Sequence, residues 1–352
     1  MNKSFIPTVD ILNEKYGLKA LFSPEHGLRG HLQACDRVGF YIDERTGIPV
    51  YSLYGDIRKP SREMLDDIDM LVVDIQEVGS RYITYIYTMA LAMKSCAEQG
   101  KAFTVLDRIN PIGGGIEGNI LDVEFSSFVG LYPLPVRYGL TLGELAMLIN
   151  YEYGIGAELK IVRAEGWERK MYFDETDLFW INPTPNMPSV EAALLYNGTC
   201  LFEGTNISEG RGTTKPFEMI GAPWLDPYSL AAEMNRQGLE GVYFRPAYFS
   251  PVFSKHKGEV CGGVQLHITD RNKIEPFKIG VRLLFEIRRM SNGKFSWITP
   301  DKEEERYFID LLAGTNRLRL AGSRQDIENL LEEWSIGCEK YKETIEKYRI
   351  YK

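Results

Sequence analysis

The chain has 352 residues, which is more than one ordinary hydrophobic core organises and enough for two domains. Its 44% hydrophobic and 26% charged residues are typical of a globular protein and exclude a disordered one. The net charge of −8, without a block of Lys and Arg, argues against nucleic acid as a partner, because nucleic-acid binding depends on clustered cations.

The sequence also bears on location and on the state of the cysteines. No stretch approaches the roughly 18 apolar residues of a membrane span, and the first residues lack the apolar region of a signal peptide. We therefore expect this chain, taken alone, to remain in the cytoplasm. The five cysteines have no spacing typical of a metal knuckle or a redox pair, which predicts buried, small apolar side chains at Cys35, Cys96, Cys200, Cys261 and Cys338.

Strand-like and helical segments alternate over the first third of the chain. The apolar patterns predict strands at 17–24, 48–53, 67–75 and 101–107, and helices at 61–68 and from Ile86 to a stop at Gly100. The run at 67–75 is nearly continuous in apolar residues, which is typical of a strand buried on both faces. Strand, helix and strand in this order form a βαβ unit and therefore a parallel sheet.

The pattern loosens after residue 135, and we place a domain boundary there, with domains at 1–135 and 136–352. Thr141 and Glu144 form a capping box at the start of a helix over 141–154. Further patterns predict a short helix over 191–197, strands at 159–164, 242–251 and 260–270, a long helix over 275–290, and a mostly helical end from 301 to 352.

Three glycine- and charge-rich segments follow predicted strands, at 24–30, 76–81 and 108–115. In an open parallel sheet, ligands bind beyond the carboxyl ends of the strands. The first segment holds Glu25, His26 and Arg29, and a partly desolvated carboxyl there would have the raised pKa of a general acid. A turn closed by a salt bridge is the structural alternative for the same residues.

The next two segments supply further candidates and exclude one cofactor class. Arg81 predicts an anionic partner, while Asp74 either orients the turn or faces the cleft. Asn110 lies in the third segment, and Glu117 just beyond it is a second carboxylate candidate. The glycines of this segment match neither a P-loop nor a dinucleotide fingerprint, so we expect no nucleotide cofactor.

The most polar stretch of the chain is 202–217, which cannot be core. Its glycines suggest a backbone that approaches a ligand, although a mobile surface loop is the alternative. The candidates in this stretch are Asn206, Ser208, Glu209, Arg211 and Thr213. No serine-nucleophile elbow and no zinc-binding histidine spacing occurs in the chain, whereas carboxylates, arginines and hydroxyls are the groups that glycosidic cleavage uses.

Together these segments resemble the exo-β-N-acetylmuramidases, a family long catalogued as a domain of unknown function. The matching segments are LFSPEHGLRG, DIQEVGSRYITYIYTM, LDRINPIGG with IEG, PLPVRYGLTLGELA, PTPNMPS and LFEGTNISEGRGTTKPFEMIGAPW. The resemblance implies an α/β protein with a Rossmann-like N-terminal domain, a smaller α/β C-terminal domain and an active site in the cleft between them. It also implies release of terminal N-acetylmuramic acid from peptidoglycan-derived muropeptides or disaccharides, without metal or cofactor.

The resemblance assigns roles to particular residues. Glu25 is the expected catalytic acid, and Glu209 and Glu117 compete for the second catalytic role. One of Arg29, Arg81 and Arg211 should bind the lactyl carboxylate of muramic acid. The remaining candidates are expected to bind substrate: His26, Asp74, Asn110, Asn206, Ser208 and Thr213.

Two departures from the family pattern qualify this reading. Members usually begin with a secretion signal and a first strand, which this chain lacks, so we expect an exposed sheet edge and weakened activity. Because the family is usually secreted, the native location is expected to be outside the cytoplasm. Ile109 stands where the family usually has Pro, and we expect that change to be tolerated.

Mechanism and activity leave alternatives open. Two carboxylates about 5–5.5 Å apart would indicate a retaining enzyme and roughly 6.5–9.5 Å an inverting one, while the 2-acetamido group of the substrate offers a third route. A non-catalytic muropeptide-binding protein is the main rival to a hydrolase. A nucleotide-dependent enzyme is a more distant one, and we expect NAD and ATP not to bind.

Overall fold

The computed structural model describes residues 4–29, 39–302 and 305–352. Gly30, His31 and Cys35 lie outside the described residues. The described strands are β1 (Leu21–Ser23), β2 (Tyr41–Ile42), β3 (Pro49–Ser52), β4 (Met70–Val73), β5 (Ala102–Leu106), β6 (Ile116–Glu117), β7 (Arg137–Tyr138), β8 (Leu159–Val162), β9 (Met219–Ala222), β10 (Val242–Phe249) and β11 (Cys261–Ile268). The described helices are α1 (Thr8–Tyr16), α2 (Arg62–Leu65), α3 (Tyr85–Glu98), α4 (Leu142–Glu152), α5 (Val190–Thr199), α6 (Pro227–Arg236), α7 (Pro276–Met290), α8 (Phe308–Ala313), α9 (Arg317–Leu320) and α10 (Arg324–Ile345).

The predicted parallel sheet is confirmed by β4, β5 and β8, which pair in parallel in that order. The helix α3 joins β4 to β5, and ten of its residues are buried, so it covers the sheet as the βαβ pattern requires. Because β8 follows residue 136, this sheet crosses the predicted domain boundary. A second sheet has the order β1-β3-β2, with β1 and β3 parallel and β2 antiparallel to β3. The strands β1 and β4 each end their sheet.

The helix α4 begins where its sequence predicts. Thr141 accepts the N–H of Glu144, and the Glu144 carboxylate accepts the N–H of Thr141, which completes the capping box. The Thr141 hydroxyl also donates to Asp107 at 2.7 Å, directly after β5. The cap therefore fixes α4 against the carboxyl end of the parallel sheet.

An antiparallel sheet and several helices form the later half of the chain. Its strand order is β10-β11-β9, and the predicted long helix is α7, which begins with Pro276 at its first position. The helices α5 and α7 cross closely at two glycines, since a Cβ at Gly198 would lie 1.8 Å from the Pro276 carbonyl oxygen. The predicted helical end is confirmed by α8, α9 and α10.

Most of the buried apolar side chains form one continuous core, which runs from Leu65 to Tyr348. The rings of Tyr82, Tyr196 and Phe217 link the start of α3 to α5 and to the polar stretch after it, at centroid distances of 5.8 and 4.7 Å. The prediction of buried cysteines is confirmed for the four that the structure describes: Cys96, Cys200, Cys261 and Cys338.

Candidate functional site

The loop after β1 holds the first predicted carboxylate, Glu25. The backbone turns sharply at His26, whose φ of 71° is unusual for a residue with a side chain. Glu25 is partly buried, and its Oε2 accepts a hydrogen bond from the Thr84 hydroxyl at 2.7 Å. Thr84 precedes α3, so the start of that helix positions the Glu25 carboxyl.

The loop 182–188 lies near Glu25, and Tyr85 links the two. The His26 ring, 7% exposed, meets the edge of the Tyr85 ring at 6.3 Å, and the Tyr85 hydroxyl donates to the Pro183 carbonyl at 2.8 Å. Burial, reinforced by the charge of Glu25, raises the pKa of Tyr85. The proline-rich loop 182–188 therefore borders the same site as Glu25.

Arg29 and Asp74 are each engaged in an ion pair. Arg29 donates to Asp43 at 2.9 Å, and Arg108 donates to Asp74 at 2.6 Å. Burial opposes ionisation of Asp74, yet Arg108 holds the pKa of that carboxyl below its usual value. Of the two predictions for Arg29 in the first loop, the structure thus shows the salt bridge.

Arg81 is fully buried, which does not suit the ligand-binding role predicted for it. Its guanidinium donates to the carbonyls of Asn119 and Leu134, both at 2.7 Å, and to those of Leu312 and Ala313, both at 3.1 Å. The last two carbonyls belong to the end of α8, where a cation is favourable. Arg81 therefore ties distant parts of the chain together in the interior.

Asn110 is likewise fully buried and serves the turn after β5. Its amide donates to the Leu140 carbonyl at 2.9 Å, and its Oδ1 accepts the N–H of Ile112 at 3.1 Å. A Cβ at Gly79 would lie 2.5 Å from that Oδ1, so two of the predicted segments pack directly on one another. The structure thus gives Asn110 a structural role and does not place it on an accessible surface.

Glu117 lies on β6, opposite Arg137 on β7. Its Oε1 accepts the N–H of Lys278 at 2.9 Å, at the start of α7, where a carboxylate favours the helix. Burial nevertheless raises the pKa of Glu117 to about 7, although this hydrogen bond and the charge of Arg137 act in the other direction.

Glu209 is buried, 2% exposed, between two cations. Its carboxylate lies 2.7 Å from Lys255 Nζ and 3.4 Å from Arg211 Nε. Arg211 also donates to Glu203 at 2.8 Å, and its guanidinium lies over the Phe217 ring. Burial alone would lower the pKa of Arg211, but the carboxylates of Glu203 and Glu209 raise it. The segment is a closed ion-pair cluster.

The remaining candidates of this stretch hold its backbone in place. The Asn206 side chain bonds the backbone of Lys294 and Ser296 at 2.8 and 3.0 Å. Ser208 accepts the N–H of Gly210 at 3.2 Å, and the Thr213 hydroxyl donates to the Gly210 carbonyl at 2.6 Å. The loop is therefore ordered by its own polar groups. Most of the stretch is buried, and Phe202, Ile207 and Phe217 belong to the core, so the prediction that it cannot be core is wrong.

Sequence reasoning missed three charged residues. Lys255 lies in the loop between β10 and β11, and no pattern in the sequence links it to Glu209. Glu218 is 5% exposed and lines a cavity of about 620 Å³ between α5 and β11. Arg137 lies within the segment PLPVRYGLTLGELA that carries the family resemblance, so the signal was present but the residue was not singled out.

The described residues contain no group of three or more His, Cys, Asp and Glu side chains that could hold a metal ion. In the same part of the chain, no helix combines the length and the apolar character needed to cross a membrane.

Comparisons with known proteins agree over the whole length of the chain. Family models described as exo-beta-N-acetylmuramidase NamZ match it at residues 1–191 (N-terminal) and 194–351 (C-terminal). The peptidoglycan beta-N-acetylmuramidase NamZ of Bacillus subtilis is 49% identical over 355 positions, which cover 100% of this chain and 84% of that protein.

Two crystal structures of DUF1343 family proteins from Bacteroides fragilis are similar as well. One has a TM-score of 0.91 at 39% identity and covers 100% of this chain and 91% of its own. The other has a TM-score of 0.76 at 31% identity and covers 98% of this chain and 89% of its own.

Proposed function

The chain belongs to the NamZ family and is a peptidoglycan exo-β-N-acetylmuramidase with two domains, and we propose that Glu25 is its general acid. The reaction then releases N-acetylmuramic acid from the non-reducing end of muropeptides or disaccharides. Since this substrate is a cell-wall polymer, we also propose that the enzyme acts outside the cytoplasm.

The observation that carries the assignment is the environment of the Glu25 carboxyl. Among the residues that the structure describes, its hydrogen-bond partner is the neutral hydroxyl of Thr84, whereas Glu209 contacts two cations and Glu117 receives a backbone N–H. A carboxylate held by cations keeps its charge and cannot easily donate a proton. Glu25 is also only partly buried, so a substrate oxygen can reach it.

We place the active site in a cleft between the two domains, at the carboxyl ends of the Rossmann-like strands. The loop after β1 carries Glu25, and the loop 182–188 approaches it through Tyr85 and Pro183. That second loop leads into α5, where the N-terminal match ends and the C-terminal match begins. Position at the ends of the strands agrees with the usual site of parallel sheets.

The second catalytic role falls to the substrate itself in this proposal. Glu209 is 2% exposed between two cations, and the Glu117 carboxylate accepts the N–H of Lys278 at the start of α7, so neither presents a free carboxylate to an anomeric carbon. The 2-acetamido oxygen attacks C1 while the Glu25 carboxyl gives its proton to the glycosidic oxygen and the C1–O bond breaks. Water then attacks C1 and opens the five-membered ring that the acetamido group formed, and the Glu25 carboxylate takes a proton from that water.

The test is hydrolysis of 4-nitrophenyl β-N-acetylmuramide beside the matching N-acetylglucosaminide. Nitrophenol release from the muramide, with far less from the glucosaminide, is expected because the lactyl group distinguishes the two sugars. A thiazoline analogue of the cyclised sugar should inhibit competitively if the acetamido group takes part. Binding of N-acetylmuramic acid without any nitrophenol release would instead favour a non-catalytic binding protein.

A further inference from the structure

A second cavity, of about 460 Å³, opens beside the glycine run 113–115. Cations predominate among the charged residues that line it: Arg137, Arg169, Lys170, Arg271 and Lys352, with Glu168 as the acid. A concave site with such a lining attracts anions.

Three of the cations already have carboxylate partners. Arg169 pairs with Glu144, Lys170 lies 2.9 Å from Glu168, and Arg271 pairs with Asp174 at 2.6 Å. Their charges are therefore balanced within the protein. These pairs shape the cavity without leaving an obvious charge for a ligand to neutralise.

Arg137 differs from these three. It is 7% exposed, and among the described residues no carboxylate lies within ion-pair distance of its guanidinium. Its Nη2 donates to the Ile112 carbonyl and, at 3.5 Å, to the Tyr172 hydroxyl, while its Nε is buried without a hydrogen-bond partner in the described part of the chain. Glu117, its neighbour across the strands, accepts the backbone N–H of Lys278.

The glycine run makes room for this guanidinium. A Cβ at Gly115 would lie 2.4 Å from Arg137 Cζ, so the guanidinium rests directly on the backbone. A buried cation with few acceptors is costly unless something else neutralises it. Arg81, whose Nε also has no hydrogen-bond partner in the described part of the chain, differs in its other nitrogens, because four backbone carbonyls accept hydrogen bonds from that fully buried guanidinium.

We propose that Arg137 binds a carboxylate of the substrate in this cavity. The inference rests on the proposed function, because peptidoglycan fragments carry a carboxylate on the lactyl group or, where a peptide is attached to that group, on the peptide. A guanidinium recognises a carboxylate with two parallel hydrogen bonds. The three arginines predicted for this task are engaged elsewhere: Arg29 with Asp43, Arg211 with Glu203 and Glu209, and Arg81 with backbone carbonyls.

The cavity is connected to Glu25 through one short segment. Ser80 pairs with Arg137 as an isolated β-bridge, and the N–H of Arg81 donates to the Val136 carbonyl at 2.8 Å. Thr84, at the end of the same segment, holds the Glu25 carboxyl. The strand that carries Arg137 thus pairs with the same turn that positions the proposed acid.

Calorimetric titration of the full chain with three non-hydrolysable ligands tests the inference. N-acetylmuramic acid carries the lactyl carboxylate, N-acetylmuramyl-L-alanine carries a peptide carboxylate instead, and the amide of the latter carries neither. Arg137→Gln should lower the binding affinity for one of the two acids roughly 10- to 100-fold and leave the affinity for the amide unchanged, as expected for loss of a charge-assisted hydrogen bond. A loss of affinity for N-acetylmuramic acid shows that Arg137 binds the lactyl carboxylate, and a loss of affinity for N-acetylmuramyl-L-alanine shows that it binds the peptide carboxylate.

The control is Arg163→Gln, which makes the same charge change at an exposed arginine and should leave all three affinities unchanged. If Arg137→Gln does not fold, as judged by circular dichroism, Arg137→Lys keeps the charge and should still lose several-fold affinity for the same acid. Equal affinities for all three ligands in folded Arg137 variants and wild type would overturn the inference. Because binding is measured without turnover, that result is distinct from a wild-type enzyme that fails to hydrolyse the muramide.

Discussion

The loop 24–29 and the stretch 202–217 are similar in sequence and different in structure. Both combine carboxylates, arginines and glycines, and both were expected to line the cleft. In the first, Glu25 is partly buried and accepts a hydrogen bond from the Thr84 hydroxyl. In the second, Glu209 is buried between Lys255 and Arg211, and the neighbouring polar side chains hold the backbone.

The difference shows that the role of a carboxylate depends more on its partners in the folded structure than on the residues around it in the sequence. A carboxylate paired with cations is stabilised in its charged form and contributes to folding. A carboxylate with a neutral partner can exchange a proton with a substrate. Three substitutions of Glu by Gln test this distinction, since each removes an ionisable carboxyl and nearly preserves the shape.

The largest effect is expected for Glu25→Gln. Removal of a general acid lowers kcat roughly 10²–10⁴-fold, while binding of N-acetylmuramic acid and the thermal transition should stay close to those of the wild type. Steady-state hydrolysis of the 4-nitrophenyl muramide, with calorimetry on the product sugar, measures both. The control is Glu124→Gln at an exposed carboxylate. Normal turnover in Glu25→Gln would end its assignment as the acid.

Glu209→Gln should act mainly on stability. Removing one partner of a buried ion pair leaves Lys255 underneutralised, at a cost of about 3 kcal/mol in the free energy of unfolding. Urea denaturation gives the value, and Lys255→Met in the same chain should recover part of it. The matched control, Glu339→Gln, breaks an exposed pair with Lys342 and should cost less than about 0.5 kcal/mol. A stable Glu209→Gln protein without activity would instead make Glu209 a catalytic carboxylate.

Local patterns in the sequence predicted the elements well. The cap of α4 depends on Thr141 and Glu144, three residues apart, and the strands β4 and β5 show as apolar runs. The prediction that β4 is buried on both faces is wrong, because Met70 and Val72 are exposed on one face of that edge strand. The loop that carries Glu25 also followed from its place after a strand. In each case the information lies within a few neighbouring residues.

The partners of the charged groups could not be predicted in the same way. Arg81 donates to Leu312 and Ala313, which lie more than two hundred residues away, and Lys255 reaches Glu209 from another loop. Such contacts depend on the tertiary packing of distant segments, and a single sequence does not show which segments pack together. The roles of Arg81 and Asn110 therefore looked functional, whereas the structure buries both.

Glu77 adds a third kind of carboxyl to the comparison, buried and neutral. It is fully buried and accepts hydrogen bonds from the Tyr138 hydroxyl and the Gly79 N–H. Burial is the dominant cause and raises the pKa of Glu77 from its ordinary 4.5 to about 8, against the effect of both hydrogen bonds.

The native state therefore holds a proton at Glu77 that the unfolded state loses above pH 4.5. The stabilising contribution of this proton is complete below pH 4.5 and is lost as the pH rises towards 8. Glu77→Gln keeps the shape and stays neutral, so it should match the wild type at pH 4.5. At pH 8.5 it should be more stable by about 3–5 kcal/mol, because each pKa unit between 4.5 and about 8 is worth about 1.4 kcal/mol. Urea denaturation at both pH values measures the difference, and the exposed Glu165→Gln should show none. A Glu77→Gln protein less stable than the wild type at pH 8.5 would mean that Glu77 is ionised in the native state, and the distinction between paired and neutral buried carboxyls would fail there.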